Sequence, residues 1–480
     1  MRGIPCVVEG AVLPEGLPIA ELGHSVENTQ TLTQEPHDSL QTSTTRTFVL
    51  ARPEQYVGLS SDLDPFILRH HNWPIAGACD DQNGWSCYRR GKDPLNPVHF
   101  EVFPAGNVET FSSHYLESLA EEAVRPSQED LFQAYARHIH PAYPLLGPHE
   151  AVVSCVSSTL RTSIYFLAHS FCSSAQSIDP RLYEDFNSRA LLLEARFATL
   201  ETVEAALLFV QRHAYFSGLL GMHSNHIEIA NITAMSNDLG LNVDPQDWEI
   251  SEAEKRRRRR IWWAIYIQDK WSALALGRPS FLNDDQANVR MLRASDFAFD
   301  ECQAPPEKLR TGTEVFVAMA LLTQILSDIL STFYTIRGIE RCMAKSEDDL
   351  FSICASFESD LDNWQEHYLN SLLNSRSFPD CTGSIELAAY TVIITLYRAL
   401  LPKLSRLNAL VYYIRRKASC AVSKVVGLLE GLTLARFREL LQMHRNGFPV
   451  THHATARLHL LTGARPIGDE SRSESPATTP

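Results

Sequence analysis

Apolar residues recur at helical spacing along most of the chain. Val203, Leu207, Val210 and Ala214 form one stripe with the period of an amphipathic helix. No convincing alternating run, typical of a strand, interrupts this pattern. It therefore predicts an all-α fold, a large multi-helix domain of stacked antiparallel helix pairs with flexible termini. The predicted helices cover residues 126–138, 151–168, 185–200, 203–220, 226–239, 315–334, 348–369, 384–401 and 407–429.

A further helix is predicted to begin after Ser251. Ser251 and Glu254 have the spacing of a capping box, in which each side chain accepts a hydrogen bond from the other residue's backbone. Glu252 precedes Arg256 by four residues and Glu254 precedes Arg258 by four, an order that supports a helix. The basic run is therefore predicted to be partly neutralised within the helix itself.

The second half of this helix is apolar on every face. Residues 261–267 read IWWAIYI, so the helix is predicted to pass from a solvated basic half into the protein interior. Gly277 and Pro279 follow, and they are typical of a helix end.

The order of these parts resembles the fungal-specific transcription factor domain, the middle homology region of regulators that carry a two-zinc, six-cysteine DNA-binding cluster. The phrase AMSNDLGLNVDPQDW at 234–248, IHPAYPLL at 139–146 and, more weakly, ELAAYTVIITLYRALLP at 386–402 extend the resemblance over residues 57–402. The matching residues are Arg258, Arg259, Trp262, Trp263, Tyr266, Asp269, Gly277, Arg278, Pro279, Asp296 and Phe297.

The resemblance implies a function in the nucleus. It implies a fungal transcription regulator, not an enzyme, that controls RNA polymerase II transcription of a metabolic or secondary-metabolite gene set. Its expected partners are other transcription regulators or activator complexes, with homo- or heterodimers among them. The alternative is a stand-alone interaction protein that dampens full-length relatives without contacting DNA.

Cysteine spacing and charge restrict how DNA is reached. The ten cysteines form no Cys-x-x-Cys pair, so no cofactor is expected in this chain, and zinc only if an N-terminal cluster is missing from the gene model. The net charge of -14 argues against a broad phosphate-binding face. We therefore expect DNA contact to be indirect or to come from a missing N-terminal domain. No segment is predicted to span a membrane.

Three regions follow from composition. Residues 1–50 are rich in Thr, Ser, Gln and Pro and are predicted to form a flexible N-terminal arm. Residues 51–435 are predicted to form the helical regulatory domain. Residues 436–480 are predicted to be an irregular to disordered C-terminal tail.

Several residues allow two interpretations. The basic run at residues 255–260 is interpreted either as an import signal or partner patch, or as a solvated helix face. The solvated face is favoured, because acidic partners have the right spacing. Trp262, Trp263, Tyr266 and Trp271 are expected in the core more than around a ligand. Asp269 and Arg278 are expected to form a buried ion pair, and the alternative is that they bind an acidic effector. The basic run consists of Lys255, Arg256, Arg257, Arg258, Arg259 and Arg260.

A helical terpenoid synthase is the remote enzymatic alternative. The pairs Asp80–Asp81 and Asp284–Asp285 resemble the acidic pairs that hold magnesium and diphosphate in such enzymes. Asp284, however, is predicted to lie on a loop after Pro279. The histidine pairs 70–71 and 138/140 are predicted to serve packing or to lie on the surface, since nearby cysteine or carboxylate partners are absent.

Overall fold

The computed structural model describes part of the chain. The arm at 1–50, the tail at 436–480, the Asp80–Asp81 pair and the histidines at 70–71 lie outside the described residues. Those residues are 54–57, 86–91, 98–102, 122–147, 157–211, 219–297, 307–374, 382–400 and 409–430.

The described residues are mainly helical, which confirms the all-α fold class. A π-helical turn at Tyr135–Ile139 extends α1, and another at Gln365–Leu369 joins α9 to α10. The α-helices are α1 (Gln128–Ala134), α2 (Ser158–Ala168), α3 (Arg181–Glu194), α4 (Leu200–Val210), α5 (Leu219–Asp238), α6 (Glu252–Leu276), α7 (Glu307–Phe333), α8 (Ile336–Met343), α9 (Glu347–Trp364), α10 (Asn370–Asn374), α11 (Thr382–Leu400) and α12 (Ala409–Glu430).

Several helix boundaries differ from the prediction. The apolar run at 203–220 was expected to be one helix, but α4 ends at Val210 and α5 begins at Leu219. Helix α7 begins at Glu307 rather than at residue 315, because helical geometry holds through the mostly polar residues 307–314, which carry no apolar pattern.

A small antiparallel sheet corrects the prediction of a chain without strands. Its strands are β1 (Glu54–Tyr56), β2 (Ser86–Arg89) and β3 (His99–Val102), in the order β1-β3-β2. Each strand is three or four residues long, too short to show a clear alternation of apolar and polar positions. Phe100 from β3 packs edge-on against Trp248, with ring centroids 5.6 Å apart, so the sheet has its own small core beside α6.

Helix α6 lies in the centre of the helical body. It contacts α4, α5 and α7, while α7 also contacts α9 and α11. Trp271 and Arg259 of α6 are the two largest fully buried side chains among the described residues. The central helix therefore carries both the apolar core and a set of buried charges.

Helix α7 is long and apolar enough to span a membrane by composition. Its segment at residues 309–333 has a mean hydropathy of 1.7 in its most apolar window, although no segment of the sequence was predicted to span a membrane. Phe316, Leu322 and Ile329 of this segment are fully buried against neighbouring helices. Packing of this kind identifies α7 as a core helix of the fold.

Gly277 ends α6 in the left-handed conformation, with φ of 64°, and its N–H donates to the carbonyl of Ala273. A Cβ at Gly277 would meet no atom within 4 Å, so only backbone strain opposes a side chain there. We expect Gly277→Ala to lower the free energy of unfolding by about 1 kcal/mol in urea titrations.

Gly427 is the matched control, because it is exposed within α12 and a Cβ there also has open space. Gly427→Ala should instead be neutral or stabilise by up to about 1 kcal/mol, since alanine favours a helix. Equal effects of the two substitutions would contradict the strained-cap explanation.

Candidate functional site

The amino end of α6 is capped as predicted, but only in one direction. The Ser251 hydroxyl accepts from the Glu254 N–H at 3.2 Å. The Glu254 carboxylate does not return to Ser251, because it binds Arg258 at 2.9 Å and Arg90 at 3.4 Å. Arg90 also binds Glu54 of β1 at 2.7 Å, so the charges at this helix end hold the sheet against α6.

The first basic residues of α6 pair with the chain's own acids. Lys255 binds Glu252 at 2.9 Å and donates to the carbonyl of Gln246 at 2.9 Å. Glu252 therefore lies against Lys255, not against Arg256 as the four-residue spacing predicts. Arg257 binds both oxygens of Glu204 from α4, at 2.9 and 2.6 Å.

Arg259 lies at the centre of a set of buried and partly buried charges. Its side chain is 2% exposed, and its Nη2 donates to Asp244 Oδ1 and to Gln246 Oε1, both at 2.9 Å. Its Nη1 lies 3.6 Å from Asp296 Oδ1. Asp296 also accepts two bonds from Arg290, at 2.8 and 2.7 Å. We call Asp244, Arg259, Arg290 and Asp296 the charged hub.

The hub joins three segments that are distant in sequence. Asp244 lies in the loop before α6, Arg259 within α6, and Arg290 and Asp296 in the segment after it. Burial favours a higher pKa for Asp244, but hydrogen bonds from Arg259 and from the Arg290 N–H outweigh it and lower that pKa. Two positive and two negative groups are thus held together with no net charge.

Arg260 extends the hub to a fourth segment. Its Nε donates to the carbonyl of Leu145 at 3.1 Å, and its Nη1 donates to the carbonyl of Asp296 at 2.7 Å. Leu145 belongs to the phrase IHPAYPLL at 139–146. Arg260 therefore binds this phrase and the segment after α6 together.

In the folded protein, the basic run does not form the continuous basic surface that an import signal or partner patch needs. Lys255, Arg258, Arg259 and Arg260 are buried, and only Arg256 and Arg257 are partly exposed. The expected solvated helix face is wrong for the same four residues. Buried cations on this helix instead hold neighbouring segments in place.

The aromatic residues in the second half of α6 lie in the core. Trp262 and Trp263 are each 3% exposed, Tyr266 is 7% exposed and Trp271 is 1% exposed. The indole N–H of Trp263 donates to the carbonyl of Arg290 at 2.9 Å, and that of Trp271 donates to Thr323 at 2.9 Å. The buried indole donors of Trp263 and Trp271 are thereby satisfied.

Asp269 does not pair with Arg278, which corrects the expected ion pair. Its carboxylate accepts from the Phe281 N–H at 2.9 Å, the Leu282 N–H at 3.1 Å and the Ser280 hydroxyl. Burial raises the pKa of Asp269, and these hydrogen bonds partly oppose that shift. Asp269 therefore orders the turn after Gly-Arg-Pro, while Arg278 lies partly exposed near the surface.

The Asp284–Asp285 pair lies on a 3₁₀ turn, Asp284–Gln286, as predicted. Asp284 is held by Lys270 at 3.0 Å, by the Ser327 hydroxyl at 2.6 Å and by the Tyr266 hydroxyl at 3.2 Å. No group of three or more metal-ligating side chains occurs within the described part of the chain. Asp284 therefore serves as an anchor for the turn.

The remaining residues of the family resemblance lie in the segment after α6. Phe297 is 2% exposed and packs edge-on against Phe316 of α7, with ring centroids 5.8 Å apart. Pro279 is exposed after the Gly277 cap. Asp296 also accepts from the Arg293 N–H at 2.8 Å, which fixes the turn before Phe297.

Sequence reasoning missed three partners of the basic run. Asp244 and Trp248 stand in the phrase DPQDW, which was used only as part of the family resemblance, although Arg258 lies 5.0 Å over the Trp248 ring. Glu204 is 2% exposed within the apolar helix α4. A carboxylate among apolar helix positions signals a buried cationic partner, and that signal was available.

His140 lies buried beside Arg260, where burial and the positive guanidinium lower its pKa to about 4. Since an unfolded histidine has a pKa of about 6.5, only the unfolded state binds the proton between these values, so stability falls as the pH falls from about 6.5 towards about 4. Between about pH 7.5 and about pH 5, the parent should lose about 2 kcal/mol more than His140→Gln in urea titrations.

His367→Gln is the control, because His367 is exposed. This variant should reproduce the pH dependence of the parent. A His140→Gln protein whose stability changes with pH as the parent's does would exclude His140 as the titrating group.

A family model matches the part of the chain that contains the hub. Residues 132–366 match the family model described as the fungal specific transcription factor domain, a range that contains α6 and the whole charged hub. The match confirms the predicted resemblance to the fungal-specific transcription factor domain over residues 132–366. Among solved structures, none matches the chain.

Curated relatives have names of the same kind. An uncharacterized transcriptional regulatory protein of Schizosaccharomyces pombe is 28% identical over 63% of this chain and 47% of its own length. The transcriptional activator protein DAL81 of Saccharomyces cerevisiae is 25% identical over 60% of this chain and 34% of its own. Cutinase transcription factor 1 alpha of Fusarium vanettenii is 24% identical over 57% of this chain and 31% of its own length. The chain thus spans less than half the length of each relative.

Proposed function

We propose that this chain is the regulatory body of a transcription regulator that acts in the nucleus on RNA polymerase II transcription. The domain match and the names of the relatives support this proposal. A metabolic or secondary-metabolite gene set is the proposed target. Other transcription regulators or activator complexes are the proposed partners.

The observation that carries the proposal is the internal use of the basic run. Arg258, Arg259 and Arg260 bind acids and carbonyls of the same chain, so they are not available to neutralise DNA phosphates. In this proposal the body sets transcriptional output, and DNA is reached through a partner or through a separate zinc-cluster segment. Zinc belongs to that segment only.

Regulation of this kind requires two states of the body with different affinities for a partner. The hub is suited to stabilise one arrangement, because it binds the loop before α6, the segment after it and the phrase at 139–146 to one helix. Moving the loop before α6 or the segment after it would break charge pairs of Arg259, and moving the phrase at 139–146 would break the Arg260 hydrogen bond to Leu145, so intermediate arrangements are disfavoured.

A tethered reporter tests the proposal. The chain is fused to an unrelated DNA-binding module in a fungal host, and transcription from a reporter carrying that module's site is measured. We expect the fusion to raise or lower transcription relative to the module alone. A fusion that is present in the nucleus and leaves transcription unchanged would contradict the proposed function.

A further inference from the structure

A surface on α9 and α12 combines exposed aromatic rings with exposed cations. Tyr412 is 74% exposed, Phe351 45% and Tyr413 36%, so three aromatic rings reach the surface here. Phe351 and Tyr413 are in contact edge to face, with centroids 6.4 Å apart, so the two helices contribute to one patch. We call Phe351, Tyr412, Tyr413, Arg415, Arg416 and Lys417 the α12 surface.

The cations of this surface stand beside the rings. On a helix, residues three and four positions apart are neighbours, so Arg415 and Arg416 flank Tyr412, and Arg416 and Lys417 flank Tyr413. Lys417 lies 5.4 Å over the Tyr413 ring and 3.8 Å from Glu358. Across the described part of the chain, Arg415 and Arg416 have no carboxylate within ion-pair distance.

The α12 surface is also ordered in part by its own contacts. The Tyr413 hydroxyl donates to Glu358 at 3.1 Å, and Tyr397 from α11 donates to the same carboxylate. Glu358 is 15% exposed, so this anchor is largely buried. Tyr413 is therefore positioned before any partner arrives, which reduces the entropy lost on binding.

We propose that the α12 surface binds an acidic amphipathic segment of a partner protein. Apolar side chains of such a segment would cover Tyr412 and Phe351, and its carboxylates would pair with Arg415 and Arg416. The three exposed cations of this surface are complementary to an acidic segment, and they stand out locally on a chain whose net charge is -14. The proposal does not depend on the proposed function.

Nucleic acid fits the same surface less well. Three cations are few for a phosphate-binding face, since affinity grows with the number of phosphates neutralised. Glu347, Asp348 and Asp349 in the first turn of α9 lie one turn or less from Phe351 along the chain and would repel a phosphate backbone. A carboxylate-bearing helix can place its charges on one side only, towards the arginines.

Fluorescence anisotropy with the whole chain tests the proposal. The probe is a labelled peptide rich in aspartate, with Phe and Leu one helical turn apart, and the comparison peptide has lysine in place of each aspartate. We expect the acidic peptide to bind and the lysine peptide not to bind. Raised salt should weaken binding, because the pairs are exposed.

Charge reversal locates the binding. Arg415→Glu combined with Arg416→Glu should lower the affinity for the acidic peptide by about tenfold or more. Tyr412→Ala should lower that affinity by a smaller factor. The matched control combines Arg196→Glu with Arg310→Glu, two exposed arginines outside this surface. The control should bind as the parent does, and all variants should keep the parent's far-ultraviolet circular dichroism.

Four outcomes would overturn the proposal. These are no binding of the acidic peptide, equal weakening by the surface and control variants, binding of duplex DNA through Arg415 and Arg416, and self-association of the chain that the surface variant abolishes. The last outcome, seen by analytical ultracentrifugation, would assign the surface to a second copy of the chain.

Discussion

The variant that combines Trp262→Ala with Trp263→Ala is expected to lose most or all of its free energy of unfolding. Both indoles are 3% exposed in the main core, and Trp263 also satisfies the carbonyl of Arg290. Truncating a large buried aromatic residue typically costs about 3–5 kcal/mol. Whole domains are stable by about 5–15 kcal/mol, so two such losses on one helix leave little or nothing.

Urea unfolding followed by circular dichroism measures this effect. Tyr412→Ala is the matched control, because it removes an aromatic side chain that is 74% exposed, and it should change stability by no more than about 0.5 kcal/mol. The variant that combines Trp262→Phe with Trp263→Phe should be more stable than the double alanine variant and less stable than the parent. An unchanged unfolding midpoint in the double alanine variant would place the two indoles outside the core.

Asp296→Ala is expected to destabilise the protein by about 3 kcal/mol or more, because removing one member of a buried charge network leaves its partners unpaired. Asp296 binds both nitrogens of Arg290 and the Arg293 N–H, and it lies 3.6 Å from Arg259, whose side chain is 2% exposed. Arg259 retains Asp244, which limits the loss.

Asp285→Asn provides the comparison in the same segment, because Asp285 is exposed and its carboxylate takes no part in the hub. Its unfolding midpoint in urea should match that of the parent. If Asp296→Ala were as stable as Asp285→Asn, the hub would contribute nothing to the fold.

The central helix was predictable because its signals are local. A Ser251 cap, acidic residues in the first turn, a fully apolar second half and a glycine at the carboxyl end all act within a few residues. The observed α6, Glu252–Leu276, has those ends. The sheet was not predictable in the same way, because its strands are short and are held by contacts to Trp248 and to each other.

The candidate site was predictable in its residues and not in its contacts. Resemblance to a family identified Arg259 and Asp296, but their pairing depends on how the chain folds back across 37 positions of sequence. Asp269 and Arg278 are closer in sequence and do not pair, because backbone N–H groups of the following turn reach Asp269 instead. Within α6, spacing correctly predicted the pair of Glu254 and Arg258, but Glu252 binds Lys255 instead of Arg256.

Reporter transcription from the tethered chain tests the central claim, that a folded regulatory body built around the hub sets transcriptional output. The parent and Asp285→Asn fusions should change transcription equally relative to the DNA-binding module alone, and Asp296→Ala at matched protein level should lose much of that change. A parent fusion without effect, or an unfolded Asp296→Ala fusion with the full effect, would contradict the account.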